Sequence, residues 1–203
     1  MLRLIAAACL ALAGAGARAQ DFDYYLLALS WSPSWCDAEG AATGAEQCRP
    51  ERDLGFVLHG LWPQYETGWP EHCDSPARDP SRRETAAMAD VMGSGGLAWA
   101  EWKKHGRCTG LEPEDYFALS RRAFNAFRLP EPETRTDAGA VAAAFRAANP
   151  GVPADGLAVT CRAGLLRELR VCLTPELAPR SCGADVLEDA CRPNRPLEAP
   201  EAP

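Results

Sequence analysis

The chain is 203 residues long, with 21 lysines and arginines against 28 aspartates and glutamates, and a formal net charge of −7. That acidity argues against a generic nucleic-acid binder held by a basic surface. No apolar run reaches the ~20 residues that a membrane-spanning helix needs.

Taken in chain order, the first segment reads as a leader. Arg3 precedes an apolar stretch from Leu4 to Ala17, and Ala17-Arg18-Ala19 places small residues where a signal peptidase reads them. Residues 1–19 are therefore expected to direct export and to be cleaved after Ala19. Losing Arg3 and Arg18 leaves 19 basic against 28 acidic residues, a net charge of −9. Eight cysteines also remain: Cys36, Cys48, Cys73, Cys108, Cys161, Cys172, Cys182 and Cys191. An even number in an exported chain predicts four disulfides, but spacing alone does not choose the pairing. Without a C-x-x-C pair, no metal is expected at these cysteines.

Phe22–Trp31 is an aromatic and aliphatic run that predicts a buried strand, and Leu54–Leu61 predicts a second. His59 stands near the end of the second, just before Gly60 and the Pro63 breaker. Tyr65–Ser81 reads as a loop. Helices are predicted over Glu84–Met92 and Leu97–His105, with Gly106 as the stop signal of the latter. Another is predicted over Pro113–Leu129, opened by Pro and two acidic residues, with Tyr116, Leu119, Ala123 and Phe127 on one stripe. An alanine-rich helix over Asp137–Ala148 follows, then strands over Leu157–Cys161 and Leu165–Leu173. Residues 192–203 are rich in proline and predict a disordered tail. Strands and helices mix without βαβ alternation, so the expected class is α+β, with helices packed against a central antiparallel sheet.

The chain has three histidines, His59, His72 and His105. In the helix predicted to end at His105, Glu101, Lys104 and His105 stand at i, i+3 and i+4, which puts a carboxylate, an ammonium and an imidazole on one face. Such a group can act on a phosphodiester: the imidazole moves a proton near neutral pH, and the ammonium neutralises charge building on phosphoryl oxygens. His59 can supply the opposite proton transfer from another element. The same helical spacing also fits a solvated face, and His59 taken alone fits a satisfied core histidine. His72 reads as a solvated loop residue.

Phe56-Val57-Leu58-His59-Gly60-Leu61-Trp62-Pro63 and Glu101-Trp102-Lys103-Lys104-His105-Gly106-Arg107-Cys108 resemble the two active-site segments of the ribonuclease T2 family. The opening strand ending in Trp31-Ser32-Pro33-Ser34-Trp35-Cys36 is similar to that family's first strand. So is the C-terminal pattern of four cysteines, Cys161, Cys172, Cys182 and Cys191, around Leu166-Arg167-Glu168-Leu169-Arg170-Val171-Cys172.

The resemblance covers roughly residues 22 to 191, within an expected catalytic domain of residues 20–191. It implies an endoribonuclease that cuts single-stranded RNA without a cofactor, leaving 2′,3′-cyclic phosphate ends. His105 would be the general base and His59 the general acid, with Lys104 and Glu101 stabilising the five-coordinate phosphorus. Trp62 matches a position that stacks on a base; core packing beside Pro63 is the equal alternative. Arg107 is a candidate phosphate contact or an exposed ion pair. The resemblance also implies disulfides Cys73–Cys108, Cys161–Cys191 and Cys172–Cys182, leaving Cys36–Cys48. The chain departs from the pattern at Ala100, where many members carry an auxiliary histidine, so reduced turnover is expected. Gln64 stands where some members carry an adenine-selecting aspartate, so no strict adenine preference is expected. A metallo-phosphoesterase using the three histidines lacks the usual ligand spacing, and a non-catalytic binding protein on the same scaffold is the remaining alternative. The protein is expected to be a monomer, periplasmic or extracellular, with RNA as its partner and no membrane association.

Overall fold

A computed structural model describes residues 21–202; the expected leader over residues 1–19 lies outside them. The elements are β1 (Tyr24–Trp31), α1 (Ser32–Trp35), β2 (Phe56–Gln64), α2 (Arg82–Ala86), α3 (Ala89–Met92), α4 (Gly95–Lys104), α5 (Pro113–Asn125), β3 (Arg135–Asp137), α6 (Ala138–Ala148), β4 (Leu157–Arg162), β5 (Leu165–Leu173), α7 (Ala184–Glu188) and β6 (Pro196–Glu198). This is the expected α+β class. The sheet runs β2-β1-β5-β6-β3, with β4 on β5. Every pairing among these strands is antiparallel except a short parallel contact between β5 and β6.

β1 lies between β2 and β5, and Tyr24 to Leu29 are all buried. A central strand covered on both faces needs a continuous apolar run, which is the pattern its sequence has. Two irregularities matter for the site. The β1–β2 register passes from Ala28↔Gly60 to Leu29↔Leu58, stepping over His59. The β4–β5 register passes from Thr160↔Glu168 to Cys161↔Leu166, stepping over Arg167. Each is a bulge, in which the extra residue leaves the ladder and its side chain is re-aimed.

The helices start where local chemistry places them. Ser81 and Glu84 form a capping box on α2, the Ser94 hydroxyl accepts from Leu97 N–H at the start of α4, and Asp137 caps α6 through Ala140 N–H. The helix expected over 84–92 is two short ones, separated at Met88, whose side chain is buried in the core. α5 stops at Asn125, so Phe127 lies beyond it, while Tyr116 and Ala123 face the core as expected. The Tyr116 hydroxyl donates to Leu61 O at 3.1 Å, fixing α5 against β2.

All four disulfides are formed, with the pairing the resemblance implies. The expected disordered tail is corrected by the structure. Pro196–Glu198 pairs with β3, Leu197 and Ala199 are buried, and the Trp31 indole N–H donates to Pro200 O at 2.9 Å. Alternate residues turn inward there, and proline is tolerated as the first residue of a strand, the place Pro196 holds in β6; the polar composition conceals both. Among the described residues, no helix is long and apolar enough to cross a membrane.

Candidate active site

The bulge in β2 projects His59 over the sheet, and α4 brings Glu101, Lys104 and His105 to the same place. His105 is the residue that closes α4, its N–H still bonded to Glu101 O at 2.8 Å. All four side chains line one cleft of ≈ 220 Å³ together with Trp62. Trp62 stands between the imidazoles: its ring stacks on His105 at 5.0 Å and meets His59 edge-on at 5.2 Å. Its indole N–H donates to Glu101 Oε2 at 2.6 Å. Gly60 permits this bond, because a Cβ there would collide with both the Trp62 indole nitrogen and Glu101 Oε2.

The two imidazoles have opposite surroundings. His59 has carboxylates at both ring nitrogens: Glu168 Oε1 is 2.5 Å from Nδ1, and Glu101 Oε1 is 3.5 Å from Nε2. Burial disfavours the imidazolium, but the Glu168 hydrogen bond and the two carboxylate charges outweigh it and raise the His59 pKa. His105 is buried, and its Nδ1 has no hydrogen-bond partner among the described residues. Burial, then the nearby Lys104 and His59 charges, push its pKa down to about 3. Burial also raises the Glu101 pKa, against the pull of His59.

Glu168 is the residue that sequence reasoning misses. It lies on β5 and is 1% exposed; besides His59 it holds Arg170 Nε–H at 3.0 Å and the Ser30 hydroxyl at 3.3 Å. β2 and β5 are separated by β1, so this contact crosses a strand, over the small side chain of Ser30. The one sequence signal is a glutamate flanked by arginines in an otherwise apolar strand.

Lys104 lines the cleft and pairs with Glu71 at 3.5 Å. Arg107 and His72 line neither this cleft nor a wider one of ≈ 690 Å³ on the other side of His59. Ala100 lines that wider cleft. Trp69, 52% exposed, stands at the narrower cleft, whereas the Trp62 ring is engaged by His105 and by the Arg170 guanidinium 5.8 Å away. Cys73–Cys108 joins the loop after β2 to the turn after α4, and His72 N–H donates to Lys104 O at 2.8 Å beside it.

The profile of the ribonuclease T2 family matches residues 22–131. The chain belongs to the ribonuclease T2 family. A ribonuclease of Aeromonas hydrophila is 37% identical, across 78% of this chain and 74% of its own length. Ribonuclease I of Escherichia coli is 30% identical, across 50% of this chain and 53% of its own length. Among solved structures, an RNase-related protein from Calystegia sepium superposes with a TM-score of 0.71 at 19% identity, covering 90% of this chain and 99% of that one. At that identity the likeness is one of fold. Membership of the T2 family makes the protein an RNA endonuclease.

Proposed function

We propose that this T2 ribonuclease cleaves single-stranded RNA by transphosphorylation, with His105 as base and His59 as acid. His105 accepts the proton of the ribose 2′-hydroxyl, the 2′-oxygen attacks phosphorus, and His59 protonates the departing 5′-oxygen. The products are a 2′,3′-cyclic phosphate and a free 5′-hydroxyl. Lys104 and Glu101 stabilise the charged phosphorus intermediate from the α4 side. The observation that carries the reading is the asymmetry of the two imidazoles: one is clamped by carboxylates, the other is buried with a ring nitrogen that has no partner among the described residues. Paired groups whose environments drive their pKa values apart divide the acid and base roles between them.

A base stacks on the exposed Trp69, while Trp62 acts as the internal strut between the histidines. The protein works as a monomer after export, and the four disulfides accord with an oxidising compartment.

The test is incubation of the protein with RNA in excess chelator, followed by analysis of fragment ends. Cyclic phosphates are expected, with His59→Ala and His105→Ala each slowing cleavage by at least about a hundredfold. Loss of cleavage on chelation, or 5′-phosphate ends, would refute the mechanism.

A further inference from the structure

Among the described residues, two line both clefts: His59 and Arg167. They are also the residues that the two bulges expel from the ladders, His59 from β2 and Arg167 from β5. An RNA strand laid from one cleft to the other passes both. The neighbouring arginines are committed: Arg162 pairs with Glu39, and Arg170 pairs with Glu168 and Asp189. The Arg167 side chain is exposed and makes no hydrogen bond or ion pair among the described residues. Its charge nevertheless acts on both His59 and Glu168, which places it beside the acid.

We infer that Arg167 binds the non-bridging oxygens of the scissile phosphodiester. A guanidinium presents a fork of donors that matches a phosphate. Arg167 would reach the phosphate that His59 serves from β5, whereas Lys104 approaches it from α4. The bulge supplies the reason an exposed arginine is found there: without it, residue 167 would stay in register with β4. The inference rests on the proposed mechanism.

The experiment compares Arg167→Gln with the unaltered protein on a dinucleoside monophosphate and on a long single-stranded RNA. Arg122→Gln, on α5 and lining neither cleft, controls for the same loss of charge. Arg167→Gln is expected to lower kcat/KM about tenfold to a hundredfold on both substrates, the range of a charge-assisted hydrogen bond, with Arg122→Gln near the unaltered rate. A loss confined to the long RNA would overturn the inference, since a dinucleotide contains only the scissile phosphate. An equal loss in Arg122→Gln would also overturn it, as a general field effect. If the unaltered protein leaves no cyclic ends, both the mechanism and this inference fall; if it does and Arg167→Gln is silent, Arg167 alone is wrong.

Discussion

Replacing Glu168 by glutamine tests the acid's clamp while keeping the side chain's shape. In the native site one carboxylate oxygen faces His59 Nδ1 at 2.5 Å and the other faces Arg170 Nε at 3.0 Å, so both face N–H donors. An amide has one acceptor oxygen and one donor NH₂. It can satisfy Arg170 or a protonated His59, but not both. An opposite charge this close raises an imidazole pKa by about one to three pH units, each worth about 1.4 kcal/mol. Because the native His59 pKa is raised, its acid form persists to higher pH. Removing the charge therefore moves the alkaline limb of the kcat/KM profile down by about one to three pH units. Below the shifted limb the rate is expected to change least, and above it to fall about tenfold to a thousandfold. The assay is kcat/KM against pH on a dinucleotide, beside an NMR titration of the His59 ring. An alkaline limb that stays in place while the variant remains folded would refute the assignment of His59 as acid and Glu168 as its clamp.

Four further outcomes follow from the same geometry. Ala100→His is expected to raise the rate on RNA, because position 100 lines the wider cleft; an unchanged rate would show that this position is not limiting. Trp69→Ala is expected to raise KM about fivefold to a hundredfold with little change in kcat, as loss of one stacking platform of about 1–3 kcal/mol requires. Replacing Cys73 and Cys108 by serine removes a link of sequence separation 35; it is expected to lower stability by about 4 kcal/mol in denaturant unfolding and kcat/KM with it. Ending the chain after Cys191 removes the buried Leu197 and the Trp31–Pro200 hydrogen bond, for an expected loss of about 2–4 kcal/mol; unchanged thermal unfolding would contradict the packed β6.

The parts of this site that are legible in the sequence depend on local geometry. Glu101, Lys104 and His105 share a face because helical spacing requires it, and the apolar run of β1 announces a strand buried on both sides. What is not legible depends on register between distant segments. Glu168 looks like a surface charge until β5 is placed beside β1, which carries it to a histidine 109 positions away. The bulges at His59 and Arg167 are single-residue offsets, invisible to an alternation pattern that tolerates one irregular residue. The C-terminal segment misleads for the opposite reason: its composition resembles disorder, but two inward residues, Leu197 and Ala199, help to dock it.

An acidic protein acting on a polyanion must place its positive charge sparingly. The narrower cleft holds Glu101, Asp185 and Asp189 as well as Lys104, Arg167 and Arg170, so it is not a basic trough. Arg170 is held by Glu168 and Asp189 with its side chain mostly buried, so phosphate is met by Arg167, by Lys104, whose pair with Glu71 is exposed, and by the imidazolium of His59. In the proposed reaction His59 gives up a proton and His105 gains one, so the charge of the site is conserved but moves. It leaves a ring clamped by Glu168 and Glu101 and arrives on one that burial and Lys104 hold at a pKa of about 3. An imidazolium there returns its proton to water readily once the product has gone, while Glu168 draws a proton back onto His59. The same asymmetry that divides the acid and base roles therefore resets them between turnovers. Burial of His59 alone would not do this, because burial favours its neutral ring; the Glu168 carboxylate reverses that preference.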